Sequence, residues 1–196
     1  YGRNENPLNP LYLYDRFVDY ISGAAIAISK QLFEQLGGFD NSFSPGYYED
    51  TDLAMKVRSI GKNVLYSHSS RVIHLEGKSS EGEQFNGMKR YQIVNKDKFY
   101  QKWQSTLING GYEKPDQNIY FYNRKVKQSI LFIDSMIPTP DKDSGSNDIV
   151  IAMSIFKEMG YEVHFVPSVE IILGFNQYVE NLRSMGIVTH VQEFKH

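Results

Sequence analysis

Three carboxylates stand within four residues at Glu49-Asp50-Thr51-Asp52, directly ahead of a helical pattern in which Leu53, Val57 and Ile60 share one face and Gly61 supplies the stop. A helix N-terminus favours negative charge through its free N–H groups and its dipole, so one acid there is an ordinary cap. Glu49 and Asp50 side by side, after Gly46 and the tyrosines Tyr47 and Tyr48, exceed what a cap requires. Neighbouring carboxylates disfavour each other's ionised form, which is one route to a general base. The stretch therefore reads either as a dipole-compensated helix start or as a catalytic or ligand-binding site. A second candidate is His74, which follows Arg71-Val72-Ile73 and precedes a loop containing Gly77. It reads as a metal ligand or phosphate contact at a strand end, or as a partly exposed histidine satisfied by backbone.

The elements that must position these residues follow from composition and periodicity. The chain has 196 residues, 41% hydrophobic and 22% charged, with net charge −2. That suits one large folded domain or parts of two and argues against a general nucleic-acid binder. Cysteine is absent, which excludes disulfides, thiolate zinc ligands and thiol nucleophiles and fits a reducing compartment. No apolar run approaches the ~20 residues of a membrane span, and no stretch of the sequence reads as a signal peptide. The chain starts at Tyr1 rather than methionine, which reads as a piece excised from a longer polypeptide.

Residues 1–16, rich in Asn, Pro and Tyr, read as an irregular lead-in. In 17–28 the small residues Ser22, Gly23, Ala24 and Ala25 permit close approach of a backbone or ligand, while Ile26 and Ile28 read as a buried strand. Ser29 is expected to cap a short helix that Gly37-Gly38 ends, and residues 39–43 form a loop into the acidic stretch. Strands are expected at 63–66 and 71–74, a polar stretch at 79–87, and a helix at 88–103 with Tyr91, Val94, Phe99 and Trp103 available to a core.

Breaker clusters at 109–111 and 114–116 mark a boundary, placing a first domain at 1–107, a linker at 108–128 and a second domain at 129–196. The second begins with Ile130-Leu131-Phe132-Ile133 as a continuous buried strand, then a helix at 149–159, a strand at 163–166, a helix at 175–185 and a strand at 186–191. Strand and helix in alternation mean a parallel sheet, here the opening of a Rossmann-like domain. The loop Asp141 to Ser146 fails as a calcium loop, because its glycine falls at the fifth position and Ala152 stands where the bidentate acid belongs. It reads as an anion cradle at a helix N-terminus or as an ordinary capped turn.

The ordered set Asp19 to Ala25, Leu36-Gly37-Gly38-Phe39-Asp40, Tyr48 to Leu53, Arg58, Gly61 and Val72 to Gly77 resembles the C-terminal half of a family 2 glycosyltransferase of the GT-A fold. Asn95, Phe99 and Lys102-Trp103 continue the likeness toward members that build bacterial surface polysaccharides, over roughly residues 1–107. Ile130 to Asp134, Pro138, Asp141 to Ser146 and Met159 to Val163 are similar, more loosely, to the start of a family 4-type, GT-B glycosyltransferase. The fold class implied is α/β: a partial GT-A sheet with helices, joined to the beginning of a GT-B parallel sheet.

The resemblance implies inverting transfer from a nucleotide-sugar donor to a glycan or lipid-linked glycan acceptor, in a bacterial cytoplasm at or near the inner face of the membrane. It makes Asp50 the base that deprotonates the acceptor hydroxyl, with Glu49 as neighbour or alternate. Ser22, Gly23, Gly38, Asp40, Tyr48 and Asp52 are then the candidates for substrate contact, and His74 the candidate ligand of a divalent metal, Mn or Mg. The family's Asp-x-Asp metal ligands and its nucleotide-binding half are expected upstream, so this chain alone is expected to be inactive. A non-catalytic glycan- or nucleotide-binding module, or a scaffold whose acids only cap helices, is the rival expectation.

Overall fold

A computed structural model describes residues 6–73, 83–110, 126, 128–169 and 176–191. The architecture is mixed α/β, with a two-stranded antiparallel sheet and a three-stranded parallel one. The chain forms two compact units that do not follow sequence order. One comprises Tyr1–Arg16, Tyr66–Arg71 and Asn123–His196, the other Phe17–Leu65 and Val72–Tyr122.

The sequence yields β1 (Arg16–Val18), α1 (Lys30–Gln35), α2 (Glu49–Ser59), β2 (Val64–Tyr66) and α3 (Glu83–Asn109), most of whose residues lie in the unit that carries the acids. Ser29 caps α1 by accepting from the Leu32 N–H, and Gly37 and Gly38 follow at φ 74° and 64°, as expected of a glycine stop. Helix α2 is apolar on two sides. Ala54 and Val57 join Val64 with Val18, Ile21, Ile28 and Leu36, whereas Met55 joins Phe43 and Phe99 with Tyr48, Trp103 and Leu107. Consequently Asp52 through Met55 are all buried, and a helix that opens on acids runs through the middle of its unit. Ile60, expected on the inward face, is exposed, because the helix has already ended at Ser59.

Three expectations in this region are corrected. Ile26 and Ile28 lie in no strand; they are half-buried in coil, Ile28 packing against the cluster of Ala54, Val57 and Val64. Arg71 to Ile73 is also coil, with Ile73 88% exposed: a β-branched run becomes a strand only where an edge is there to receive it. The lead-in is less irregular than its composition suggests, since Pro10–Tyr12 is a 3-10 turn capped by Asn9, and Leu13, Tyr14 and Arg16 are buried.

In the other unit, β3 (Ser129–Asp134), α4 (Ser144–Glu158), β4 (Glu162–Pro167), α5 (Asn176–Ser184) and β5 (Val188–Thr189) give the expected parallel sheet, in the order β3-β4-β5. Asp143 caps α4 through the Ser146 N–H at 2.7 Å, so the 141–146 loop is a capped turn in which that N–H is already taken. One sheet face, with Ile130, Phe132, Val163 and Phe165, packs against Met153 of α4 and Val179 and Leu182 of α5. The other face of β3 is open. Leu131 is 54% and Ile133 65% exposed, so the strand expected to be buried throughout alternates instead. Tyr14 seals part of this face by donating its hydroxyl to Glu162, and His68 inserts between Asp15 (Nδ1 to Oδ1, 2.8 Å) and Glu180 (Nε2 to Oε2, 2.9 Å).

Candidate functional site

The acids are delivered by a loop that is costly to form. Asp40 caps a 3-10 turn at Asn41–Phe43 by accepting from the Ser42 N–H, and Tyr47 and Tyr48 then stand consecutively in the left-handed region at φ 71° and 76°. Each left-handed non-glycine residue costs roughly 1–2 kcal/mol, so surrounding structure must enforce the pair. Asn95 does so from α3. Its Nδ2 donates to the carbonyls of Phe43 (2.7 Å), Gly46 (2.8 Å) and Tyr47 (3.2 Å), and the residue is fully buried. Lys98, nearly one turn on, donates to the Ser42 carbonyl at 2.7 Å. Asn95, Phe99, Trp103 and Leu107 recur every fourth residue, so one stripe of α3 holds the loop and closes the core beneath it.

From this platform the three acids diverge. Asp50 is half-buried; its Oδ2 accepts the Gly23 N–H at 2.8 Å and its Oδ1 the Thr51 N–H at 2.6 Å. A Cβ on Gly23 would meet Asp50 Cβ at 3.4 Å, an ordinary contact, so the bond rather than a lack of space joins the two. Asp52 points inward with no exposure, accepting from Trp103 Nε1 at 2.7 Å and pairing with Lys102 at 2.7 Å. Its second oxygen lies 3.4 Å from Lys56 Nζ, an ion pair without hydrogen-bond geometry. Glu49 has a buried Oε2 with no hydrogen-bond partner.

Lys102 also reaches Asp40 at 2.7 Å and so bridges two carboxylates. Its hydrogen bond, with those from Ser42, holds the Asp40 carboxyl well below the usual carboxylate range. Burial opposes the charge on Lys102, but the bonds to Asp40 and Asp52 prevail and raise its pKa. Tyr48 packs its ring 5.4 Å from Phe99, and burial, followed by Tyr20 and Asp97, pushes its hydroxyl pKa up, keeping it a proton donor.

The expected site residues thus fall into two linked groups. Gly23 and Asp50 meet directly, with Ser22 exposed beside Gly23. Gly38, Asp40 and Asp52 are joined through lysines, because Lys56 donates to the Gly38 carbonyl at 3.0 Å and Lys102 spans the two acids. His74 lies outside the described residues. Among the described residues no group of three or more His, Asp or Glu side chains is arranged to hold a metal ion. Asp50 and Asp52, although two residues apart, are turned toward backbone donors and toward lysines respectively, and do not form a metal cradle. What sequence reasoning missed is the role of Asn95, because a polar residue on a helix resembles a solvated position when its partners are some 50 residues away. The four-residue spacing to Phe99 and Trp103 was the available signal. No protein-family model, no curated protein and no solved structure matches the chain.

Proposed function

We propose that this chain carries the acceptor-activating part of a nucleotide-sugar-dependent, inverting glycosyltransferase. Its two units would then correspond to the second half of a GT-A domain and the start of a GT-B domain. The observation that carries this reading is the delivery of Asp50. A half-buried carboxylate is held at the first turn of α2 by a strained loop that a dedicated buried asparagine fixes. Strain maintained by such a device is characteristic of functional positions.

On this reading Asp50 accepts the proton of the acceptor hydroxyl as the oxygen attacks the anomeric carbon, and the nucleoside diphosphate departs from the opposite face. The Gly23 N–H and the α2 dipole orient the carboxylate. Glu49 is the neighbouring acid, Ser22, Gly38, Asp40 and Tyr48 border the substrate, and Asp52 anchors the turn from within. The donor, its diphosphate-bound Mn or Mg and that metal's ligands belong to parts of the parent polypeptide outside the described residues. The chain alone is inactive on this reading, and the parent works in the cytoplasm, peripheral to the inner face of the membrane, on a glycan or lipid-linked glycan in polysaccharide synthesis. Among the described residues no helix is long and apolar enough to cross a membrane.

One observation favours a second reading, a non-catalytic glycan- or nucleotide-binding module: both oxygens of Asp50 are already engaged within the chain. The two separate in one experiment, in which the intact parent is assayed for transfer with a panel of nucleotide sugars beside its Asp50→Asn variant. Transfer that collapses in the variant while donor binding persists supports the enzyme. Donor or glycan binding with no transfer by either protein supports the module.

A further inference from the structure

We propose that His164 and His190 form a two-nitrogen site for a divalent transition-metal ion of the zinc or copper class on the open face of the parallel sheet. The site is independent of the acid-bearing unit. His164 lies on β4 opposite Val188 of β5, and His190 follows two residues later on the same face, its own N–H fixed to the Phe165 carbonyl at 2.9 Å. The rings are 18° from parallel with centroids 5.2 Å apart, and His164 Nδ1 is 2.9 Å from His190 Nε2. That combination places them edge to edge, nitrogen facing nitrogen.

The third member fixes the tautomer. Glu162 Oε2 lies 3.3 Å from His164 Nε2, and Glu162 is itself held by the Tyr14 hydroxyl at 3.1 Å. A carboxylate only accepts, so His164 Nε2 carries the ring hydrogen and Nδ1 presents its lone pair to His190. A ligating histidine whose other N–H is bound by a carboxylate is the usual outer-shell arrangement of metal sites. Two nitrogens on one tetrahedral ion, each at ~2.0–2.1 Å, stand about 3.3 Å apart, so the pair becomes a chelate once the rings part slightly and swing both lone pairs off the line that joins them. His190 moves its hydrogen from Nε2 to Nδ1 in doing so, and no proton is lost.

Beside the pair is an open cavity of about 390 Å³, lined also by Ser129, Leu131 and Val166. Among the described residues no third acid or histidine closes the coordination sphere, which leaves positions for water or an incoming ligand on that side.

The test is titration of the full chain with Cu²⁺ and Zn²⁺ by calorimetry, and electron paramagnetic resonance of the Cu²⁺ form. One equivalent should bind, with two nitrogen couplings in the spectrum. His164→Gln and His190→Gln should each weaken binding at least tenfold, Glu162→Gln by about tenfold, and His196→Gln and His68→Gln not at all. Affinity in the His164 and His190 variants equal to that of the unmodified chain, or a single-nitrogen spectrum from the unmodified chain, would overturn the proposal. The spectrum decides the matter even where a variant fails to fold.

Discussion

Asp50 Oδ2 accepts the backbone N–H of Gly23 at 2.8 Å across 27 residues of sequence. An asparagine oxygen can accept that bond as well as a carboxylate can, but it cannot take a proton from an alcohol. Asp50→Asn keeps the Gly23 bond but turns its amide nitrogen toward the Thr51 N–H, and should cost about 1 kcal/mol, whereas Asp50→Ala loses both bonds and should cost about 1–3 kcal/mol. On the proposed glycosyltransferase reading, both should lower transfer by the parent by roughly two to four decades, the worth of a positioned base. Denaturation and turnover measured on the same two variants separate these roles, and near-native turnover by Asp50→Asn removes Asp50 from the chemistry.

Asn95 should be among the least replaceable residues of its unit. Asn95→Leu takes the amide donor from the carbonyls of Phe43, Gly46 and Tyr47, the first of which keeps the Gly46 N–H, and should cost about 2–4 kcal/mol in urea denaturation. The loop it holds should show a matching asymmetry at Tyr47, where glycine is tolerated within about 1 kcal/mol and valine is not, because a β-branched residue is an outlier at φ 71°.

Acid should attack the Asp40–Lys102 pair. The Asp40 carboxyl titrates below its unfolded value of about 3.8, so its contribution is complete above that pH and is lost as pH falls through the lower folded value. Melting temperatures between pH 6 and pH 2 should fall with a slope that Asp40→Asn and Lys102→Met each reduce. An unchanged slope in both variants would mean that other carboxylates set the acid limit.

Much of this fold was legible because local chemistry and packing agree. Ser29 with Gly37 bounds α1, Leu53 and Val57 mark the inward side of α2, and Asp143 caps α4. The failures share one cause, since residue type does not reveal what lies opposite. Ile26, Ile28, Val72 and Ile73 have strand propensity yet lie in coil, and Leu131 and Ile133 are apolar on a face that is open. His164 stood unremarked within the strand expected at 163–166, although period-two alternation gives it a different face from Val163 and Phe165. In the candidate site, Glu49 and Asp50 stood out by charge density, whereas the lysine that neutralises Asp40 and Asp52 lies on α3, about 50 to 60 residues further along.

Gly186 tests how tightly the turn before β5 is packed. It sits at φ +77°, and a Cβ there would lie 2.7 Å from the Asp15 carbonyl oxygen. Gly186→Ala should lose about 1–2 kcal/mol to the left-handed conformation alone and more to the backbone clash. A melting temperature within a degree of the unmodified chain would show that the segment around Asp15 yields freely.

That segment has a practical bearing on how the protein is divided for expression. The breaker clusters after Asn109 invite a cut there, with the downstream half produced as a separate recombinant product. Such a product would retain Glu162, Glu180 and Arg183 but lose Tyr14, Asp15 and His68, which hold them through the Tyr14 hydroxyl, the bond from the Asp15 N–H to the Arg183 carbonyl and the His68 ring. A soluble truncation would have to carry residues 6–16 and 66–71 along, for example by joining them through a short engineered bridge, because the gene is linear where the packing is interleaved.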